Sequence, residues 1–394
     1  MSYVRPVVFL ACLFLVGPVL AQGKWTKLAA FPEPAEELLG ASAGGKMYVF
    51  CGLAPGWKPI GMVYEYDPAG DKWTKKKPMP LASHHVSFTE YKGKIYAFGG
   101  FVLPQSGPAA WVPIDNAWEY DPATDNWKAL APLPTKRGSP VAVTVGDKMY
   151  VIGGATTLPG SSAVHPARPH YSVGAVEEYD PAANTWRARA PIPTPRNHAT
   201  AGVVNGKIYV IGGRATLPGS SAVHPARPHY SVGAVEEYDP AANTWRARAP
   251  IPTPRNHATA GVVNGKIYVI GGRVGGAFVS SGSSNVGIVE EYDPATDAWG
   301  SPRARMPSAR SAMSSGTWGG KIYVTGGEGQ DYVSMFAFRA LEAYDPGANT
   351  WTVLPNMPVG RHGLAGAVVG NHLHMVSGDV QSAGTGVHVH TDSH

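Results

Sequence analysis

The sequence contains the tripeptide Tyr-Asp-Pro six times, and each time a Trp follows seven residues after the Tyr. The pairs are Tyr66/Trp73, Tyr120/Trp127, Tyr179/Trp186, Tyr238/Trp245, Tyr292/Trp299 and Tyr344/Trp351. Successive Trp residues lie 54, 59, 59, 54 and 52 residues apart. Self-similarity at a nearly fixed period indicates an array of equivalent structural units, so this repeat limits the fold more than any other feature of the chain.

One unit, residues 195–245, predicts four short strands. Residues 199–204 form a small apolar run, and Asn205-Gly206 is a two-residue hairpin signal before the alternating run 207–211. A third strand at 235–238 is followed by an Asp-Pro turn, and Trp245 begins the fourth. A period of about 50 residues is that of one four-stranded propeller blade, so we predict an all-β propeller.

A glycine doublet ends the second strand of most units. It occurs as Gly99-Gly100, Gly153-Gly154, Gly212-Gly213, Gly271-Gly272 and Gly326-Gly327, and weakens to Cys51-Gly52 in the first unit and Ser377-Gly378 in the last. With the Tyr and Trp spacing, this pattern resembles the Kelch repeat over essentially the whole chain after residue 21. The resemblance implies a Kelch β-propeller, a fold that serves enzymes, adaptors and carbohydrate binders alike.

The two ends of the chain carry complementary parts of one further unit. Trp25 matches the Trp of a fourth strand, and the segment 361–378 followed by 387–391 matches the first three strands. We therefore expect seven four-stranded blades, the last closed by both termini. Residues 157–214 recur unchanged as 216–273, with 58 of 58 positions identical, and six blades are expected if this exact duplication is an artefact.

The first 21 residues read as a secretory signal, with Arg5, an apolar stretch and small residues at Val19 and Ala21. We expect cleavage after Ala21, a secreted or periplasmic location, and one propeller domain over residues 22–394. Cleavage removes one positive charge from the formal +5, giving +5 − 1 = +4. The basic residues are scattered, so we expect no nucleic-acid partner, no membrane-spanning segment, and a monomer.

Basic residues recur where each unit enters its first strand. The equivalent positions hold Ala35, Ser83, Arg137, Arg196, Arg255, Arg310 and Arg361, and two residues later Glu37, His85, Ser139, His198, His257, Ala312 and Gly363. In Kelch propellers that recognise ligands this turn resembles the binding face. Five Arg around a funnel are predicted to attract an anion, because guanidinium groups bind carboxylate or phosphate bidentately. The alternative is that each Arg joins one blade to the next.

The loops between second and third strands are long and unlike one another. They carry aromatic residues outside the repeated core, among them Trp57, Trp111 and Tyr332. Aromatic faces on loops over a rigid scaffold suit sugar recognition, whereas the alternative is that they pack on the rim and order the loops.

Histidines alternate near the C-terminus, with His372 and His374 on one strand and His388 and His390 on another. Alternation places each pair on one sheet face, but spacing does not fix a third ligand. We therefore expect no metal and no cofactor.

Three functions are left open by these patterns. The first is a non-catalytic binding module for a glycan, an anionic small molecule or a protein segment, using the five Arg, His85 and the loop aromatics. The second is a sugar isomerase, because the signal, repeats and basic funnel look similar to the periplasmic sialic-acid epimerase (mutarotase) family; Glu37, His198 or His257 would then be the acid/base. The third is a structural envelope-interaction protein without a small-molecule site.

Overall fold

The computed structural model describes residues 24–56, 58–106, 111–157, 171–216, 229–275, 284–330, 335–381 and 389–394. The predicted signal segment therefore lies outside the described residues. The described part of the chain is all-β and contains no helix. A membrane-crossing helix is accordingly not found in those ranges.

Six antiparallel four-stranded sheets, which we call blades 1 to 6, follow one another along the chain, and in each the strands pair in chain order. Blade 1 has strands Glu36–Ala43, Lys46–Ala54, Val63–Asp67 and Lys72–Lys75, and blade 2 has Ser87–Tyr91, Lys94–Phe98, Ala117–Asp121 and Asn126–Ala129. Blade 3 has Val141–Val145, Lys148–Ile152, Val176–Asp180 and Thr185–Arg189, and blade 4 has Thr200–Val204, Lys207–Ile211, Val235–Asp239 and Thr244–Arg248. Blade 5 has Thr259–Val263, Lys266–Ile270, Val289–Asp293 and Ala298–Trp299, and blade 6 has Ser314–Trp318, Lys321–Thr325, Leu341–Asp345 and Thr350–Leu354.

Short strands at the bases of the loops extend this pattern on one face. In blade 1, Lys58–Pro59 pairs with the second strand. In the other blades they are the pairs Phe101–Val102 with Val112–Pro113, Ala155–Thr156 with Tyr171–Ser172, Arg214–Thr216 with His229–Ser231, Arg273–Val274 with Ser284–Asn285, and Glu328–Gln330 with Met335–Ala337. These hairpins fix where the long loops leave the ring.

The last repeat forms a two-stranded sheet, Ala365–Val369 paired with His372–Val376, which we call the terminal sheet. Its first strand contacts the first strand of blade 6 on one side and that of blade 1 on the other. The prediction of seven four-stranded blades is therefore wrong for the described residues, which form a β-propeller of six such blades. Within the described residues, the segments 24–35 and 389–394 do not form the regular ladders that a fourth and a third strand of a further blade require.

The two ends of the chain nevertheless meet beside the terminal sheet. The amide of Leu28 donates to the carbonyl of His394 at 3.1 Å, and that of Phe31 donates to Asp392 at 2.8 Å. The amide of Ser377 donates to Ser393 at 2.9 Å. Both termini thus contribute backbone hydrogen bonds at one place in the fold.

The repeated Tyr and Trp form cross-strand pairs on the third and fourth strands, such as Tyr238 opposite Trp245. In blade 4 the Tyr238 hydroxyl donates to Asn243 Oδ1 at 2.8 Å, and the same oxygen accepts the Ala190 amide of blade 3's outer connection at 2.8 Å. The Trp245 indole donates to the Ala190 carbonyl at 2.7 Å. The motif therefore fastens each blade to its predecessor, and the core lies between blades.

The glycine doublets have a related cause. Gly99 has a φ of 63°, and a Cβ there would lie 2.2 Å from the carbonyl oxygen of Arg137 at the entry to the next blade. The amide of Gly100 donates to that same carbonyl at 2.9 Å. Glycine at position 99 avoids both the strain of this φ and a clash with the Arg137 carbonyl, so this doublet marks the contact between neighbouring blades.

Candidate functional site

A cavity of about 500 Å³ opens at the end of the ring where the chain enters each first strand. Residues from all six blades and from the approach to the terminal sheet line it. The equivalent positions predicted from the repeat all lie on its wall: Glu37, His85, Ser139, His198, His257, Ala312 and Gly363. The sequence alignment thus located this ring of side chains correctly.

The backbone at these positions explains why their side chains reach the cavity. All seven have a positive φ, between 49° at His198 and 59° at Gly363. A non-glycine residue in this left-handed region costs roughly 1–3 kcal/mol and persists only where the surroundings over-determine it. Here the preceding residue is fixed by a β-bridge, as Asn197 is to Arg214. The bend that follows turns the next side chain toward the axis.

The predicted ring of five arginines does not lie in this cavity. Arg137, Arg196, Arg255, Arg310 and Arg361 are each at most 2% exposed and do not line the cavity wall. The expectation of an Arg-lined face is therefore wrong for these residues. Their side chains point into the body of their own blades, because buried acceptors on the second and third strands hold them there.

Four of these arginines pair with a carboxylate of the third strand. Arg137 lies 2.9 Å from Glu177 and Arg196 lies 2.7 Å from Glu236. Arg255 pairs with Glu290 and Arg310 with Glu342 in the same way. Arg361 instead donates to the carbonyls of Ser393 and Met375, at 2.7 and 3.2 Å. These contacts support the structural alternative considered from the sequence.

Two other arginines line the cavity, and the sequence reasoning missed them. Arg214 and Arg273 each follow a glycine doublet, in the duplicated units. Arg214 Nε donates to Asn197 Oδ1 at 2.7 Å, and Arg273 Nη1 lies 3.0 Å from Glu328, which occupies the equivalent position in blade 6. The available signal was the position directly after each doublet, where charged residues replace apolar ones in the second half of the ring.

Aromatic and imidazole rings form another part of the wall. His198 and His257 stack with their centroids 4.5 Å apart, and His85 lies 4.8 Å from Trp111. Trp111 thus lies on the cavity wall, and its role in binding a ligand stays a prediction. Burial lowers the pKa of His257 well below its usual value, and the charges of Arg273 and Arg214 add to this. This imidazole is therefore neutral at physiological pH.

Glu37 is the candidate acid/base on the wall. Burial, and next the neighbouring charge of Glu36, raise the pKa of Glu37 to about 7, while the charges of His362 and Arg273 act to lower it. Such a pKa suits a group that gives and takes a proton near neutral pH. Trp57 and Tyr332, which were predicted to contact a ligand, lie outside the described residues.

The cavity therefore combines two guanidinium groups, carboxyl groups, imidazoles and one indole within a space that holds a small molecule. Guanidinium groups bind carboxylates, carboxyl and imidazole groups bind hydroxyls, and ring faces pack on apolar faces of a sugar. Such a mixed lining favours a small polar ligand with an acidic group over a hydrophobic one.

Known proteins show the same repeat along this chain. The KLHDC2/KLHL20/DRC7 Kelch-repeats domain model matches residues 19–213 and 179–378. The chain is 25% identical over 375 residues to the Kelch-like protein terF of Aspergillus terreus, covering 92% of this chain and 66% of that protein. It is 27% identical over 299 residues to Kelch-like protein 25 of Xenopus tropicalis, covering 75% of this chain and 45% of that protein. The chain thus spans less than two thirds of these relatives.

A solved structure, that of YjhT, aligns with a TM-score of 0.62 and 20% identity over 83% of this chain and 99% of that chain. At this identity the similarity concerns the fold. Together with the family match over most of the sequence, it agrees with the blades, the glycine doublets and the Tyr and Trp pairs described above. The chain belongs to the Kelch-repeat family.

Proposed function

We propose that this Kelch propeller is a binding module whose cavity takes a small polar ligand with an acidic group, an acidic sugar being the best fit. The observation that carries the proposal is the placement of Arg214 and Arg273 on the wall of one cavity. Kelch propellers generally act as interaction modules, so the family agrees with a binding role and leaves the ligand to the chemistry of the cavity.

The charges on the wall support an anionic group in one part of the ligand only. Arg214 and Arg273 supply guanidinium groups, whereas Glu328 and Glu37 supply carboxyl groups to the same lining. A ligand with several negative charges would contact the carboxyl groups as well as the guanidinium groups. A single carboxylate with neighbouring hydroxyls matches the arrangement, because the hydroxyls donate to carboxylates and accept from imidazoles.

The rings on the wall support a sugar as the rest of the ligand. Trp111 packs on Phe101 with centroids 5.4 Å apart and on the imidazoles of His84 and His85, so its position is fixed before a ligand binds. A rigid aromatic wall beside hydrogen-bonding groups limits the loss of side-chain entropy on binding. The cavity is therefore organised for a compact, ring-shaped polar ligand.

Calorimetric titration with a uronic acid, a sialic acid and neutral hexoses tests this proposal. We expect the acidic sugars to bind more tightly than the neutral ones. Arg273→Lys should lower their affinity by roughly 10–100-fold, since a charge-assisted hydrogen bond contributes about 1.5–3 kcal/mol. Arg255→Lys is the matched control from the same duplicated unit, because Arg255 lies outside the cavity; it should leave the affinity unchanged.

Equal affinity for acidic and neutral sugars, or an unchanged affinity in Arg273→Lys, would overturn the role of the two arginines. Absence of binding by every sugar tested would overturn the small-molecule proposal and favour a protein segment as the ligand or a structural envelope role.

A second candidate function is sugar isomerisation, favoured by the position of Glu37 on the same wall as the two arginines. The carboxyl group would move a proton at the anomeric centre while the arginines hold the acidic group. Exchange spectroscopy of the sugar anomers by NMR tests it: an enzyme accelerates exchange, and Glu37→Gln removes the acceleration while sugar affinity persists. An unchanged exchange rate with wild-type protein would exclude this function.

We also propose that the chain is exported and that its paired ends close the ring. The apolar N-terminal stretch and the hydrogen bonds of Leu28 and Phe31 to the last residues support these two statements. Intact mass of the exported protein should correspond to a chain beginning at Gln22. A full-length mass in the cytosolic fraction would contradict export.

A further inference from the structure

Four side chains that can bind metals or pair with metal ligands meet between the terminal sheet and blade 1, behind the cavity wall. Glu36, His362, Asp379 and His390 contribute two carboxylates and two imidazoles. His362 Nε2 lies 3.4 Å from Glu36 Oε2, and His390 Nε2 lies 4.0 Å from both Glu36 Oε1 and Asp379 Oδ2. One ligand atom from each of Glu36, Asp379 and His390 falls within a mutual 4.8 Å.

The backbone places these residues side by side. His362 forms a β-bridge with Asp379, and Asp379 forms a second bridge with His390. The amide of Gly378 donates to the carbonyl of Ala35 at 2.9 Å, which brings Glu36 of blade 1 against the same three residues. The side chains therefore converge from four separate stretches of chain.

Burial sets the cluster apart from ordinary surface carboxylates. The side chains of Glu36 and His390 are 3% and 4% exposed, and that of Asp379 is 2% exposed. His362 is 1% exposed, and its Nε2 lies 3.4 Å from Glu36 Oε2, so this imidazole pairs with the carboxylate at the edge of the cluster. Two carboxylates and an imidazole buried together are more readily stabilised by a cation than left side by side.

The other blades do not repeat this set at the equivalent bridges. There the pairs are His84 with Phe101, Gly138 with Ala155, Asn197 with Arg214, Asn256 with Arg273, and Ser311 with Glu328. The combination of Asp with His on both sides is thus specific to the junction of the two chain ends, and the repeat itself does not explain it.

We propose that Glu36, Asp379 and His390 bind one divalent transition-metal ion, with His362 packed against Glu36 at the edge of the site. Ligands at 2.0–2.2 Å in a tetrahedral site are about 3.3–3.6 Å from one another. The His390 nitrogen lies 4.0 Å from each carboxylate oxygen and all three ligand atoms lie within 4.8 Å of one another, so binding needs contraction by at most about 1.5 Å. Mixed imidazole and carboxylate ligands favour Zn²⁺ or a similar ion over Ca²⁺ and Mg²⁺, which prefer oxygen alone.

The sequence predicted no metal because spacing in the chain fixed only pairs of histidines. Glu36 lies at least 326 residues before the other three side chains of the cluster. A bound ion would join blade 1 to the C-terminal segment, so it would stabilise the contact between the two ends of the chain.

Untagged, EDTA-treated full-length protein titrated with Zn²⁺ tests the site, with bound metal measured by mass spectrometry. We expect one equivalent to bind and the melting temperature to rise with it. Asp379→Asn and His390→Ala should each weaken binding by at least about 10–100-fold, the usual effect of disturbing a metal site. His372→Ala is the matched control, because His372 lies on the terminal sheet outside the cluster.

Circular dichroism and melting of each variant in EDTA establish that it is folded before metal is added. If His390→Ala does not fold, Asp379→Asn and Glu36→Gln decide the question. Absence of stoichiometric binding in the wild type overturns the proposal, as does binding that survives in Asp379→Asn or that is lost in His372→Ala. The sugar titrations use separate residues, so failure of the metal site would leave that proposal standing.

Discussion

An Asn or Asp five residues after each repeated Tyr does more than complete a turn. Asn243 has a φ of 56°, accepts the hydroxyl of Tyr238 and accepts the amide of Ala190 from the preceding blade. Asn and Asp tolerate the left-handed conformation better than other side chains, which explains the choice at this position. Asp71, Asp125, Asn184, Asp297 and Asn349 make the same two kinds of contact.

Replacing this half-buried side chain is expected to lower the stability of the protein. Asn243→Ala should lower the free energy of unfolding by about 2–4 kcal/mol, since it removes two hydrogen bonds and leaves a residue less suited to positive φ. Asn243→Asp keeps the acceptor and should stay within about 1 kcal/mol of wild type. Urea unfolding measures both. Equal stability of the two variants would show that the contact between blades has no energetic weight.

Within a blade, the buried Arg and Glu join the entry segment to the third strand. Arg310 pairs with Glu342 and also donates to the carbonyls of Gly326, Ser308 and Val324 at 2.8, 2.8 and 3.0 Å. The same residue types recur in blades 3 to 5. This recurrence explains why Arg repeats in the sequence without contacting the cavity.

Removing one partner of such a pair should be strongly destabilising. Arg310→Ala leaves the Glu342 carboxylate buried without its counter-ion, and we expect a loss of about 3–5 kcal/mol in unfolding free energy. Arg246→Ala on the exposed outer strand of blade 4 is the control and should change it by at most about 0.5 kcal/mol. Thermal and urea unfolding compare them. A similar loss for both would mean that the buried pair is not what holds the entry segment.

Carboxylates on the third strands also predict how stability depends on pH. Burial by itself raises the pKa of Glu65, Glu237 and Glu291. Glu65 accepts hydrogen bonds from Lys46, Tyr48 and Lys76, and the other two accept them from equivalent Lys, Arg and Tyr residues. These bonds outweigh burial, so each pKa is lowered overall. A lowered folded-state pKa stabilises the protein above the unfolded value of 4.5, and this stabilisation is lost as pH falls through the folded pKa.

The unfolding free energy should therefore decrease as the pH is lowered from about 5 to about 3. The slope of unfolding free energy against pH in this range should be smaller in the triple variant Glu65→Gln, Glu237→Gln, Glu291→Gln. Urea titrations at several pH values measure the two slopes. The same slope in the variant and the wild type would show that other groups govern acid unfolding.

At the scale of the whole molecule, backbone hydrogen bonds join the two end segments of the described chain beside the terminal sheet. Trp25 donates its indole to Pro355 just as Trp245 does to Ala190, so the N-terminal segment joins the last blade through the same contact. The carbonyls of Asp392, Ser393 and His394 accept from Phe31, Ser377 and Leu28. These contacts predict that the last residues stabilise the ring although they form no regular strand.

Deletion of residues 392–394 should lower the unfolding free energy by about 1.5–4.5 kcal/mol, because three backbone hydrogen bonds are lost at about 0.5–1.5 kcal/mol each. Hydrogen exchange at Leu28 and Phe31 should increase. Replacement of the same residues by three glycines retains the carbonyls and should keep most of the protection. An unchanged melting curve after deletion would contradict a role of the termini in closure.

The fold could be predicted from the sequence because the residues that define each blade lie close together in the chain. The Tyr, the glycine doublet and the Trp each serve a turn or an adjacent blade, so their spacing alone defined the strands. It could not settle where Arg196 points, since Glu236, forty residues later, decides this. The number of four-stranded blades was also predicted too high. The match of Trp25 to a fourth strand does not show whether the terminal segments form hydrogen-bonded ladders with the terminal sheet. The cavity arginines Arg214 and Arg273 were missed because only the assembled ring brings them together.

The most direct test of the proposed cavity is a crystal structure of the protein with a bound acidic sugar. We expect the sugar to lie in the cavity, with its carboxylate within hydrogen-bonding distance of Arg214 or Arg273 and its ring near Trp111 or the imidazoles. Sugar bound on the outer faces of the blades, or bound in the cavity with its carboxylate away from both arginines, would contradict it.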